Sequence, residues 1–200
     1  LEEAVRRASD MVRNGAELID VGGESTRPGA APVDPSEEVR RAIPVVEAIR
    51  SALPSACISI DTRRAGVARA ALDAGAYMVN DVSALSDPEM VDVVSEHGCP
   101  VCIMHMQGLP ESMQDDPGYG DVVAEVREVL GNAARSLFDA GVEPEMVIAD
   151  PGIGFGKSLE QNLVLLAAGR EVVPDHRMAL MWGVSRKTMF HHLLGREDTR

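Results

Sequence analysis

The stretch that decides the fold is "CISIDTRRAGVARAALDAGAYMVNDV", residues 57–82. It opens with a short apolar run, "CISIDT", and closes with a second one, "YMVNDV". Between them, "AGVARAALDAGA" is rich in helix-forming alanine and leucine and ends at a glycine. Short apolar runs on either side of a helix are typical of two parallel strands joined by a crossover. The stretch therefore predicts one β-α-β unit.

The same alternation extends in both directions along the chain. The further predicted strands are "AELIDVGG", "PVCIMHM", "MVIADPG" and "RMALMWGV". The further predicted helices are "LEEAVRRASDMVRNGA", "DPSEEVRRAIPVVEAIRSAL", "DPEMVDVVSEHG", "GDVVAEVREVLGNAARSLFDAG", "LEQNLVLLAAG" and "RKTMFHHLLG". We therefore expect six strands and about seven helices, in a parallel sheet with right-handed crossovers.

A doubly wound sheet and a (β/α)₈ TIM barrel both fit this alternation. Two details favour the barrel. The chain starts and ends in a helix, as a segment of a longer alternating pattern would. Polar residues also gather at the carboxyl end of almost every strand, where the active sites of such barrels lie. We expect residues 1–200 to form a single, partial barrel domain with about six of the eight strands.

The composition narrows the class of protein. With 200 residues and 45% hydrophobic content the chain suits one domain with a sizeable core. Its net charge of -13 argues against a nucleic acid or an anionic membrane as partner. It has no apolar run long enough to span a membrane and no signal-peptide pattern, so we expect a cytoplasmic protein.

A C-x-x-C pattern at Cys99 and Cys102 could indicate a redox pair or half of a zinc site. It opens a predicted strand, and no second cysteine pair or paired histidines complete a tetrahedral site. We interpret both cysteines as small apolar residues that enter a strand, and we predict no metal ligands among the side chains of this chain.

The strand ends carry the candidate chemistry. Asp61, Asn80 and Asp150 each follow a predicted strand and would meet at one mouth. A carboxylate only accepts hydrogen bonds, so it suits a planar ligand with adjacent N–H donors, and an amide can read the edge of a heterocycle. The alternative is that the aspartates cap helices or bind loop amides. With several of them on successive strands, we favour a site for a flat ring such as a pterin or purine.

Other strand-end residues suit an anion. The loop "STRPG" offers the hydroxyl of Thr26 and the guanidinium of Arg27, which fit a phosphate. Lys157 and Lys187 are the only lysines, and Lys187 lies at a strand end, where we expect a compact positive charge. The glycine-rich "DPGIGFGK" lacks the spacing of a phosphate-binding P-loop, so its glycines indicate close approach of a flat ligand, with Phe155 over the mouth.

Five segments together resemble the dihydropteroate synthase family. They are "DVGGESTRPGA", "ISIDTRRAGVARAALDAGAYMVNDVSAL", "VCIMHMQGLPESMQ", "IADPGIGFGKSLEQNLVLL" and "GVSRKTM". The resemblance runs along essentially the whole chain. It implies a (β/α)₈ barrel and an alkyl-transferring enzyme of folate biosynthesis. Such an enzyme joins 4-aminobenzoate to the hydroxymethyl carbon of a dihydropterin diphosphate, releases diphosphate with the help of Mg²⁺, and is the target of sulfonamides.

The resemblance also implies roles for residues of this chain. The residues that would bind the pterin are Asp61, Asn80, Met106, Asp150, Gly154 and Lys187. Those that would border the 4-aminobenzoate are Thr26, Pro28, Phe155, Ser185 and Arg186. Arg27 would contact the diphosphate, and the catalytic residues would be Asp61, Lys187 and Arg27.

The chain also departs from the family pattern. The family has an opening strand whose Asn holds Mg²⁺ and diphosphate, and a last strand that carries an Arg and a His for diphosphate. Neither is found in these 200 residues. We therefore expect either a fragment of a synthase or a non-catalytic pterin-binding paralogue. A pterin-dependent methyltransferase on the same barrel is a further alternative, although the "STRPG" loop and the "SRK" lysine argue against it. The resemblance also implies a homodimer.

Overall fold

A computed structural model describes residues 1–27, 29–108, 113, 118–187 and 189–195. Within them, the strands are β1 Leu18–Gly22, β2 Cys57–Asp61, β3 Met78–Asp81, β4 Val101–Met104, β5 Val147–Asp150 and β6 Ala179–Leu180. The helices are α1 Glu2–Arg13, α2 Pro35–Ala52, α3 Ala65–Asp73, α4 Glu89–His97, α5 Val122–Asp139, α6 Leu159–Ala168 and α7 Met189–Leu194. The predicted alternation of strands and helices is confirmed.

The six strands form one parallel sheet in the order β1-β2-β3-β4-β5-β6. A doubly wound sheet reverses its strand order at a switch point, and this sheet does not. Because each crossover has the same hand, a sequential order keeps all the helices on one side of the sheet. The chain therefore consists of consecutive β/α units of a TIM barrel, as the sequence predicts.

The core lies between the sheet and the helices. Successive side chains of a strand point to opposite faces, so alternate residues of each strand face the helices. In β2 these are Ile58 and Ile60, both fully buried, and in β3 and β4 they include Val79 and Ile103. The other face, inside the barrel, carries the polar residues of β1, β2 and β3. This division leaves the inner face available for a site.

Side-chain caps mark where several helices begin. The Asp34 side chain accepts a hydrogen bond from the backbone N–H of Ser36 at the start of α2, and Asp121 does the same for Val123 in α5. A capping box between Ser158 and Gln161 opens α6. These caps satisfy backbone donors that have no partner inside the helix. Each one therefore fixes where a strand-end loop stops.

The last β/α unit differs from the prediction. We expected a strand over residues 177–184 and a helix from Arg186, but β6 covers only Ala179–Leu180 and α7 begins at Met189. Arg186 has a φ of 56°, in the left-handed region, which neither a strand nor a right-handed helix can include. Ser185 and Arg186 form a turn before α7.

Cys99 and Cys102 are buried free cysteines, and Cys102 lies within β4 while Cys99 precedes it. In the part of the chain that the structure describes, no helix is both long enough and apolar enough to cross a membrane.

Candidate active site

The strand register brings the predicted pterin residues to one edge of the sheet. Gly22 pairs with Asp61 across β1 and β2, and Asp61 pairs with Asn80 across β2 and β3. Farther along, Met104 pairs with Asp150 across β4 and β5. The carboxyl ends of these parallel strands therefore present Asp61, Asn80 and Asp150 at the same mouth.

Asp61 has an unusual electrostatic environment. Its Oδ1 atom is buried and accepts no hydrogen bond from the residues that the structure describes. Burial raises the pKa of this carboxyl to about 8, with the nearby charges of Asp20 and Glu38 adding to the effect. At neutral pH the group is therefore mainly protonated. A Cβ at Gly22 would lie 3.3 Å from the Asp61 Cβ, so a glycine there leaves room for the side chain.

Asn80 is held by a residue that the sequence analysis did not single out. Asp20, on β1, accepts a hydrogen bond from Asn80 Nδ2 at 3.2 Å and another from Ser59 Oγ at 2.6 Å. With Nδ2 engaged, Oδ1 is the atom of the Asn80 amide that is left to accept a hydrogen bond from a ligand. The alternation along β1 could have indicated Asp20, because it lies on the same face as Gly22.

Asp150 and Lys187 form the other side of the mouth. Asp150 accepts a hydrogen bond from the backbone N–H of Gly152 at 2.8 Å. Burial raises its pKa, while that hydrogen bond and the charges of Lys187 and Lys157 oppose the rise. Burial likewise lowers the pKa of Lys187, and the Asp150 charge opposes this. The charge of each group therefore favours the ionised form of the other.

The Lys187 side chain packs against Phe155 and Gly154. The Lys187 ammonium lies 3.9 Å from the centre of the Phe155 ring, a cation–π contact. A Cβ at Gly154, where φ is 80°, would lie only 3.1 Å from Lys187 Cδ. Glycine at this position therefore lets the lysine stem pack closely.

The residues predicted for the second substrate and for the diphosphate lie around this mouth. Thr26 lines a small cavity together with Asp61, so the loop after β1 reaches the pterin residues. Arg27 is exposed on the same loop, and Ser185 and Arg186 are exposed in the turn before α7. Met106, just after β4, is partly buried. Pro28 lies outside the described residues.

Lys157 does not belong to the open mouth. It is buried beneath the loop after β5, and its ammonium donates to the carbonyl oxygens of His105, Gly152 and Phe155 at 3.0–3.3 Å. It also lies 2.9 Å from Nδ1 of His105. Burial lowers the pKa of Lys157 to about 7, with Asp150 opposing the shift.

Burial, and then the Lys157 charge, lower the pKa of His105 to about 3, so its ring is neutral and Nδ1 can accept. The pair joins the end of β4 to the loop that carries Gly154 and Phe155. The rarity of lysine was the sequence signal for Lys157, but nothing in the sequence indicated that its partner is His105.

The alternative reading, that a strand-end aspartate serves the local loop, applies to Asp81. Its side chain accepts hydrogen bonds from the backbone N–H and the hydroxyl of Ser83, at 2.7 Å and 2.6 Å. It follows Asn80 along the strand and therefore points to the opposite face. Asp150 combines both roles, since it caps Gly152 and also faces Lys187.

Known proteins resemble this chain over almost all of its length. The pterin-binding enzyme family matches residues 1–200. The dihydropteroate synthase of Escherichia coli strain K12 is 45% identical over 194 residues, which cover 97% of this chain and 68% of that protein.

Solved structures of dihydropteroate synthases are also similar to this chain. The Yersinia pestis dihydropteroate synthase in a sulfonamide drug complex superposes with a TM-score of 0.91 at 40% identity, over 98% of this chain and 70% of that one. The Burkholderia cenocepacia dihydropteroate synthase complexed with 7,8-dihydropteroate gives a TM-score of 0.90 at 44% identity, over 99% and 72%. The chain therefore belongs to the pterin-binding enzyme family and, within it, to the dihydropteroate synthases.

Proposed function

We propose that this protein is a transferase of folate biosynthesis that makes dihydropteroate from a dihydropterin diphosphate and 4-aminobenzoate. The observation that carries the proposal is the meeting of Asp61, Asn80 and Asp150 at the carboxyl ends of parallel strands, with Lys187 beside them. This set matches a flat ring that presents several N–H donors and an acceptor. The homologues and their small-molecule complexes support the same reaction.

In this proposal the pterin ring is recognised from two sides. Asp61 and Asp150 accept hydrogen bonds from ring N–H groups, Asn80 presents its amide oxygen, and Lys187 donates to a ring acceptor. Hydrogen bonds to the charged form of a carboxyl lower its pKa. Binding of the ring therefore favours ionisation of Asp61, which is protonated at neutral pH in the free protein. Gly154 and Met106 form walls of this pocket.

The chemical step follows from these roles. The bond between the exocyclic methylene carbon and the diphosphate oxygen breaks, and its electron pair leaves with the diphosphate. Positive character develops on the methylene, where the ionised Asp61 stabilises it electrostatically. The lone pair of the aromatic amine then forms the new C–N bond, and the resulting ammonium passes its proton to solvent water. Arg27 neutralises charge on the departing diphosphate.

The second substrate lies between two loops in this proposal. Phe155 offers an apolar ring surface, Thr26 of the loop after β1 borders the same space, and the family resemblance assigns Pro28 to it as well. Ser185 and Arg186 approach from the turn before α7, where the Arg186 guanidinium suits the benzoate carboxylate. Alignment of amine and methylene supplies much of the rate, because it replaces a bimolecular encounter.

Further features stay predictions. The family implies Mg²⁺, and the described residues contain no group of three His, Cys, Asp or Glu side chains that could hold a metal ion. A homodimer, a cytoplasmic location, sulfonamide sensitivity and a single barrel domain are also expected. Light scattering would measure the oligomeric state.

An assay of the protein expressed from its complete reading frame tests the function. Dihydropteroate formed from the two substrates would support it, and Asp61→Asn should reduce the rate strongly, while Arg69→Met, at an exposed ion pair with Glu96, serves as the control. Pterin binding without turnover would instead identify a non-catalytic paralogue. Binding of methyltetrahydrofolate with methyl transfer would identify a methyltransferase.

A further inference from the structure

An arginine joins the two ends of the loop that follows β1. Arg64, in the loop after β2, donates from Nη2 to Glu24 Oε2 at 2.9 Å and to the carbonyl oxygen of Val33 at 2.7 Å. Glu24 and Val33 lie nine positions apart, and the Val33 N–H donates to the same Glu24 oxygen at 2.7 Å. These bonds close the base of residues 25–32, the segment that holds Thr26 and Arg27.

The Arg64 guanidinium is also held by an ion pair with helix α2. Its Nη1 pairs with Glu38 of α2, and Glu38 also accepts a hydrogen bond from Thr62 Oγ1 at 2.6 Å. The Glu38 side chain is only 1% exposed and that of Arg64 is 18% exposed, so the pair is largely shielded from solvent. Shielded charge pairs with complete hydrogen bonding hold their geometry firmly.

Hydrogen bonds and nearby charges keep Glu24 and Arg64 ionised. Burial opposes ionisation of Glu24, but hydrogen bonds from Val33, Arg64 and Arg63 outweigh burial and lower its pKa. Glu24 and Arg64 therefore keep opposite charges at neutral pH. Arg63 contacts only the Glu24 end of the loop, through Nε at 3.0 Å, whereas Arg64 binds both ends.

Arg64 lies three residues after Asp61, on the same strand-end loop. We propose that Arg64 is a positioning residue that holds the loop after β1, with Thr26 and Arg27, in a fixed position relative to Asp61. Through this loop, Arg64 affects how the site binds 4-aminobenzoate and the diphosphate. It does not affect how the site binds the pterin ring. The roles of these groups rest on the proposed function, whereas the closing of the loop base by Arg64 does not.

The test separates the two substrates. The variant Arg64→Met, paired with Glu38→Gln so that no buried charge is left alone, should raise the KM for 4-aminobenzoate about tenfold. The dissociation constant for 6-hydroxymethylpterin, measured by calorimetry, should stay within about twofold of wild type. Arg64→Lys keeps the charge but not the forked geometry, so its KM for 4-aminobenzoate should lie between those of the wild type and the paired variant. Arg69→Met is the matched arginine control.

Hydrogen exchange provides a readout that does not depend on activity. Amides of residues 25–33 should exchange faster in the paired variant, less so in Arg63→Met, and at the wild-type rate in Arg69→Met. Equal changes in both substrate constants, or unchanged exchange in a folded variant, would overturn the proposal. If wild type made no dihydropteroate, the proposed function would fail, while the exchange data would still decide whether Arg64 holds the loop.

Discussion

Asn80 Nδ2 donates to Asp20 Oδ2 across 3.2 Å, between side chains that lie 60 positions apart in the sequence. An ionised carboxylate can only accept, so this contact determines which end of the amide faces Asp20. The second Asp20 oxygen is held by Ser59 at 2.6 Å, which fixes the carboxylate in turn. Asp20 therefore orients a residue that we assign to the pterin.

We expect Asp20→Asn to weaken binding of 6-hydroxymethylpterin by about tenfold, near 1.4 kcal/mol, because an amide at position 20 can pair with either end of Asn80. Calorimetry measures the effect, and Arg69→Met, at an exposed ion pair with Glu96, is the control. The double variant Asp20→Asn/Asn80→Asp should recover part of the affinity, since a carboxylate at position 80 accepts with either oxygen. A folded double variant without recovery would contradict this role.

The pH dependence of stability should report on Asp61. Its folded pKa of about 8 lies above the unfolded value of about 3.9, so its contribution is full below about pH 4 and is lost as the pH rises through 8. Asp61→Asn should therefore be more stable than wild type by on the order of 5 kcal/mol at pH 8.5, with a smaller difference at pH 5. Urea denaturation at the two pH values measures the difference in the free energy of unfolding between the variant and the wild type.

The control for that experiment is Glu128→Gln on the exposed surface of α5, which should keep the wild-type dependence on pH. Parallel stability curves for wild type and Asp61→Asn would show that the Asp61 carboxyl has an ordinary pKa.

The two lysines should respond differently to substitution. Lys187→Ala should cost pterin affinity, by about tenfold or more, with little loss of stability, because Lys187 borders the mouth. Lys157→Ala should instead lower the free energy of unfolding by about 2–4 kcal/mol, because the buried carbonyl oxygens of His105, Gly152 and Phe155 lose their donor. Calorimetry and urea denaturation separate the two effects. Equal losses of pterin affinity would refute the assignment of Lys187.

Gly23 should be sensitive to size. A Cβ there would lie 2.7 Å from the backbone oxygen of Glu38 and 2.9 Å from its Cγ, against α2. Gly23→Ala should therefore destabilise the protein by about 2 kcal/mol. Gly66→Ala is the matched control, because a Cβ in that part of α3 meets nothing within 4 Å. It should stabilise the helix by about 0.5–1 kcal/mol. Similar denaturation midpoints for the two variants would contradict the close approach of the loop to α2.

Local pattern was enough to predict the sequence of strands and helices, because periodicity and end signals act over a few residues. It was not enough for the last unit, where β6 ends at Leu180 and the left-handed conformation of Arg186 prevents a helix from starting at that residue. The residue type at position 186 does not predict that conformation, since arginine rarely adopts it.

The sequence by itself determined that Asp61, Asn80 and Asp150 lie at the carboxyl ends of parallel strands, and therefore that they share a mouth. Only the tertiary structure decided how they are supported. Asp20 meets Asn80, Lys157 meets His105 across 52 positions, and Arg64 meets Glu24 across 40. The physical reason is that strand ends follow from local periodicity, whereas the partner of a buried charge depends on which distant backbone folds against it.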